Sequence, residues 1–180
     1  MTAYLSRPIG PYDHTMGPAD APHQLLEYGD YECPYCGAAY PIVKSVQRRM
    51  GDSLLLAYRH FPLTQIHPHA EHAAEIAEAA GEYGRFWPMH DILFTHQQAL
   101  DDANLVLYAQ RLGLDPNWAE WVLRTHAFAT RVREHFLSGV RSGVNGTPTF
   151  FVNGVRHDGP WDEASLLEAL RTSAVLAGRR

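Results

Sequence analysis

The sequence predicts an α/β fold in which the elements run β-α-β, then a block of helices, then β-β-α. Three observations carry that prediction. Cys33 and Cys36 stand three positions apart where a short apolar run gives way to helical spacing. From about Thr64 to Gly143 the pattern is helical throughout. Beyond it, Asn153-Gly154 separates two short β-prone runs, a strong hairpin signal.

In chain order, residues 1–22 are rich in Gly, Pro and Asp and read as an extended leader with little regular structure. His23-Gln-Leu-Leu-Glu-Tyr28 is a short apolar run broken by Gly29-Asp30, read as a buried strand. After the cysteines, Ala38, Ala39, Ile42, Val43 and Val46 recur at helical spacing as far as Gly51. Ser53 to Phe61 is the second strand, stopped by Pro62. These elements make residues 23–63 the first part of the domain. The insertion, residues 64–143, holds an alanine-rich helix from His69 to Ala80 and a second around Phe86 to Phe94. A third runs from Leu105 to Leu112, and a fourth opens at Asp115-Pro116, an N-cap with proline at the first helical position. The fifth spans about Ala127 to Ser142. Residues 144–180 complete the domain with Thr149 to Val152, Val155 to His157 and a last helix that Asp162 caps, with Leu166, Leu167 and Leu170 facing inward.

A chain of 180 residues suffices for one well-packed domain with an insertion. Hydrophobic content of 46% and charged content of 19% place it among globular chains rather than disordered ones. The net charge of -5 and the absence of a basic stripe exclude nucleic acid as the expected partner. No run of about 18 apolar residues occurs, so no membrane span is expected. Without a signal-peptide pattern at Met1 to Gly10, the expected compartment is the cytoplasm. A monomer is expected.

Two cysteines so close together are not a fold staple, which leaves redox catalysis or metal binding. Cys33 lies where the strand ends and the helix begins, and Pro34 suits a first helical turn because its missing amide hydrogen would be unbonded there. Partial positive charge and free amides at a helix N-terminus favour thiolate over thiol. Cys33 is therefore the expected nucleophile, and Cys36, one turn further in, the buried resolving thiol. Structural zinc would need a second pair of ligands. His67, His69 and His72 are the nearest-looking set, more economically read as exposed residues at the start of an alanine-rich helix. Far along the chain, Pro148 stands just before a strand in Gly146-Thr147-Pro148-Thr149, where a cis peptide bond is often found.

Together these residues resemble the DsbA-like branch of the thioredoxin superfamily, over roughly residues 22–176. Arg59-His-Phe-Pro-Leu63, His67-Pro-His-Ala70 and Phe86-Trp87 with Met89-His90-Asp91 are similar to that branch as well. The resemblance implies a thioredoxin fold with a helical insertion. It implies a thiol-disulfide oxidoreductase acting on protein or small-thiol disulfides, with glutathione or a thioredoxin system as recharging partner and no cofactor beyond the Cys33-Cys36 pair. It places Thr147 and the cis-proline, Pro148, against the pair, where the Thr147 backbone holds an extended substrate segment. Pro34 and Tyr35 join Thr147 as substrate-contacting residues. Glu27, six positions before Cys33, takes the place of a buried carboxylate that relays a proton to the second cysteine. From the strand alone, Glu27 could equally face solvent. The Pro34-Tyr35 dipeptide is the one typical of glutaredoxins, with potentials near about -200 to -230 mV, and implies a mild oxidant.

Eleven histidines are scattered without a repeating ligand spacing, and no metal site is assigned. His60 and His90 are read as satisfied structural residues. Phe86-Trp87 and Trp118/Trp121 are read as core or as the insert-to-core interface. A redox-inactive peptide-binding or chaperone-like module on the same fold is the competing reading. A glutathione-using relative of the isomerase or kappa-transferase kind is disfavoured by the intact cysteine pair.

Overall fold

The computed structural model describes residues 2–177. Its strands are β1 (His14–Met16), β2 (His23–Gly29), β3 (Leu54–His60), β4 (Thr149–Val152) and β5 (Val155–His157). Its helices are α1 (Pro34–Met50), α2 (Ala70–Gly81), α3 (Phe86–Thr95), α4 (Asp102–Arg111), α5 (Pro116–Thr125), α6 (Ala129–Arg141) and α7 (Glu163–Ala177). The sheet order is β1-β3-β2-β4-β5. Only β2 and β3 run parallel, joined by the α1 crossover; β1, β4 and β5 pair antiparallel with their neighbours. Asn153 and Gly154 have φ of 48° and 80°, the double left-handed turn that a two-residue hairpin requires.

Alternation along β2 sorts its side chains between two faces. Leu25 joins Leu54, Leu56, Phe150 and Val152 under Val43 and Val46 of α1 and Leu166 and Leu170 of α7. Leu26 and Tyr28 point the other way, into a cluster with Ala57, Phe61, Phe151 and Val144. Glu27 therefore shares the face of Leu25, the α1 side. The helices α2 to α5 share a third cluster, built around Ala73, Ile76, Ala77, Leu93, Leu105 and Val122, which runs on through Tyr31 and Tyr58 to Cys33 and Cys36. Its small alanines let α2 be buried almost all round. The insertion is thus packed directly against the cysteine pair.

The leader differs from its sequence reading. It contributes β1 to the sheet edge, and Tyr4 bridges Val155 at the opposite edge. Arg59, fully buried in β3, pins it: Nε and Nη2 donate to the Asp13 carboxylate at 2.7 and 2.9 Å, and Nη1 and Nη2 donate to the carbonyls of Arg7 and Pro8. A three-residue strand is too short to show alternation, so Gly and Pro content dominated the reading. The helix α4 also begins earlier than Leu105, because Asp101 caps it by accepting from the Asn104 amide. Trp121 is 45% exposed, not a core residue. It lies on the solvent side of α5, whose inward positions are Ala119, Val122 and Leu123. Among the described residues no helix is long and apolar enough to cross a membrane.

Candidate active site

β2 ends at Gly29 and the chain turns through Asp30-Tyr31-Glu32 into α1, with Cys33 at the N-cap in extended conformation (φ -70°, ψ 122°) and Pro34 in the first turn. Three sets of bonds fix this loop. The Cys33 amide donates to the Asp30 carbonyl at 3.2 Å, and the Gly37 amide donates to the Cys33 carbonyl at 3.0 Å. The Asp30 carboxylate accepts from the amides of Glu32 and Leu63 and bonds His67 Nδ1, each at 2.8 Å. Gln97, just beyond α3, donates from Nε2 to the carbonyls of Tyr31 and Cys33 at 2.8 and 2.9 Å. A side-chain carbon at residue 37 would overlap the Gln97 amide and push it away from the carbonyls it bonds.

Both cysteines are free thiols, Cys33 being 3% exposed and Cys36 fully buried. Cys33 Sγ lies 3.5 Å from the carbonyl oxygen of Thr147, and the Thr147–Pro148 peptide is cis. The Asp30 amide donates to Cys36 Sγ at 3.4 Å. The Cys33 thiol is pulled down to about 5, chiefly by a hydrogen bond from the Cys36 thiol. Burial opposes that shift; Thr147 and the amides of Cys36 and Tyr35 at the helix start add to it. Cys36 moves the opposite way, well above the usual thiol range, because burial, its bond to Cys33 and the Glu27 charge all disfavour a second thiolate.

Glu27 is 3% exposed, opposite Tyr58 of β3 and Phe150 of β4, so the buried reading holds over the solvent-facing one. Its Oε1 has no hydrogen-bond partner among the described residues. Burial first, and the Cys33 thiolate second, raise its carboxyl to about 8. Pro34 and Tyr35 are exposed, Tyr35 at 67%, on the surface beside the sulfur. Thr147 and Pro148 are half-buried on its other side.

The histidines take structural places. His67, His69 and His72 are half-buried rather than exposed. His67 holds Asp30, and the His69 amide donates to Glu32 Oε2 at 2.7 Å, so this segment braces the cysteine loop. His60 Nε2 bonds Glu78 at 2.8 Å, and His90 Nδ1 bonds the Tyr31 hydroxyl at 3.1 Å. Burial lowers the pKa of both. Asp30 and Gln97 went unnoticed in the sequence. Asp30 looked like a strand-breaking turn residue. Gln97 acts on backbone carbonyls more than 60 residues away, which no local pattern records.

A thioredoxin family model matches residues 10–172. Among solved structures, oxidised BdbD from Bacillus subtilis is similar with a TM-score of 0.85 at 22% identity, over 96% of this chain and 98% of that one. A thioredoxin-like oxidoreductase from Silicibacter pomeroyi gives 0.78 at 24% identity, over 91% and 93%. Alpha-DsbA1 from Wolbachia pipientis gives 0.78 at 18% identity, over 97% and 98%. Curated relatives are closer in sequence. A protein of Salinispora arenicola described as Na(+)/H(+) antiporter NhaA 1 is 47% identical over 177 residues, 98% of this chain. One of Mycobacterium sp. strain KMS with the same description is 46% identical over 169 residues, 92% of this chain. The chain spans only 27–28% of the length of those two relatives.

Proposed function

The chain belongs to the thioredoxin family and has a DsbA-like fold, and from that premise we propose that it is a thiol-disulfide oxidoreductase working through Cys33 and Cys36. The observation that carries this reading is the placement of two neighbouring thiols, Cys33 at the start of α1 with Sγ 3.5 Å from the Thr147 carbonyl oxygen and Cys36 buried behind it. Cys33 is held near 5 at a helix start, against Thr147, while Cys36 stays protonated behind it.

When the dithiol reduces a substrate, the Cys33 thiolate attacks one sulfur of the disulfide, and the other leaves as a thiolate that takes up a proton. A mixed disulfide remains. Cys36 then loses its proton and attacks Cys33 Sγ, releasing the second substrate thiolate and leaving the Cys33-Cys36 disulfide. Two electrons pass to the substrate, and oxidation of a substrate dithiol is the reverse. In the mixed disulfide the Cys33 thiolate that helps keep Glu27 protonated is gone, and the ionised Glu27 carboxylate accepts the Cys36 proton in one direction and returns it in the other. The Thr147 backbone at the cis peptide pairs with an extended substrate segment, and Pro34 and Tyr35 border it. The two electrons reside in the cysteine pair, so the step calls for no further cofactor. Sodium–proton exchange is not proposed: the stretch shared with the antiporter relatives is the one the thioredoxin model matches.

The Cys36→Ala protein, mixed with oxidised glutathione or a disulfide-containing peptide, is expected to accumulate a stable mixed disulfide on Cys33, seen as a mass increase reversed by dithiothreitol. Cys33→Ala is expected to form none. Equal or absent adducts in both variants would refute the assignment of attacking and resolving roles.

A further inference from the structure

Within the insertion, two histidines and a buried carboxylate converge from α2 and the end of α5. His72 and Glu75 are three positions apart on α2 and so share one face. His126 ends α5 in the left-handed region, at φ 52° and ψ 45°, a conformation uncommon outside glycine. One donor atom from each of these three residues lies within 4.8 Å of the others. The imidazole centroids of His72 and His126 are 5.0 Å apart.

We propose that His72, Glu75 and His126 form a binding site for a divalent transition ion of the zinc class, with Asp102 of α4 as outer partner. The charge balance supports it. Glu75 is fully buried, and its salt-bridge partner is His126, at 2.9 Å, which carries charge only when protonated. Its other oxygen accepts from the Phe128 amide at 3.1 Å. A buried carboxylate facing two imidazoles is well compensated by a cation. The histidine chemistry supports it too. His72 Nδ1 is 2.6 Å from Asp102 Oδ1, the carboxylate–histidine arrangement that fixes the tautomer and leaves Nε2 a lone pair for a metal. Imidazole and carboxylate together suit zinc and its neighbours better than calcium. With side-chain exposures of 52% for His126 and 26% for His72, an ion and its completing waters can enter from solvent. Bound there, the ion would clip α2, α4 and the α5–α6 turn together.

The test is calorimetric titration of zinc chloride into the whole chain with Cys33 and Cys36 oxidised, so that thiols do not compete. One ion per chain is expected, with an upward shift in melting temperature. Binding should weaken at least about tenfold in His126→Asn, which keeps a residue tolerant of the left-handed backbone, and in His72→Gln. Asp102→Asn should weaken it by roughly tenfold, while His157→Gln leaves it unchanged. Binding should also fall with pH as protons compete for His126. Absence of saturable binding by the oxidised chain, or unchanged binding in either His126→Asn or His72→Gln, overturns the proposal. Neither result bears on the cysteine chemistry.

Discussion

Replacing Glu27 with leucine is expected to stabilise the dithiol protein by about 3 kcal/mol at pH 7, with an effect that depends on pH in a defined direction. The folded carboxyl titrates at about 8 against an ordinary value of 4.5. Between those pH values the unfolded chain releases a proton that the folded chain retains. The native state is therefore undiminished below pH 4.5 and progressively penalised as pH rises through 8. Leucine has no such penalty. The difference between variant and parent should be small at pH 4.5 and level off above pH 8, as read by denaturant unfolding under reducing conditions. A difference independent of pH would mean that Glu27 ionises freely. The same substitution should slow resolution of the mixed disulfide by roughly tenfold to hundredfold, because Cys36 loses its proton acceptor. Stability and turnover then move in opposite directions, which a purely structural role would not produce.

Alkylation of the reduced protein by iodoacetamide is expected to modify Cys33 first, with a rate that is half-maximal near pH 5. Cys36 should resist the reagent beyond pH 9, since its folded pKa lies above that of an ordinary thiol. The Cys36→Ala variant should shift the Cys33 profile upward, because the Cys36 thiol is the largest contributor to the low value. The linkage sign is opposite to that of Glu27. Cys33 is depressed from 9.0 to about 5, so it stabilises the dithiol form fully above pH 9, and that contribution is lost as pH falls through 5. Mapping the alkylated cysteine by mass spectrometry at each pH separates the two thiols. An inflection near 8.5 on both would remove the basis for an ordered mechanism.

The placement of the cysteine pair at a helix start is legible because its determinants are local: an apolar strand, a cysteine at the helix start, and proline behind it. The thioredoxin fold with its helical insertion followed from element order and from the resemblance, and the sheet order agrees with it. Glu27 was readable only as far as its strand. Its burial depends on α1 lying over the Leu25 face, which is tertiary information. The order of the leader is not legible in its own pattern, because Asp13 and β1 gain it from Arg59, 46 residues away. His67 looked like a surface residue because its partner, Asp30, is 37 positions upstream. Gln97 shows the limit most sharply: an amide bonding two carbonyls leaves no periodicity and no motif. The residues to which the chemistry is assigned stand out in the sequence, while those that hold the loop in place mostly do not.

Cys33 and Cys36 are expected to form a reversible two-electron couple whose dithiol state is stabilised by an acidic Cys33. Equilibration with defined ratios of reduced and oxidised glutathione at pH 7 tests it directly. A nucleophile near 5 lies about two decades below a thioredoxin-type thiol near 7, and each decade is worth about 30 mV for two electrons. The predicted potential is therefore about -210 mV, some 60 mV above the thioredoxin value of about -270 mV. A single transition near -210 mV that disappears in Cys33→Ala would match the prediction. Cysteines that stay reduced, or stay oxidised, across every glutathione ratio would contradict it.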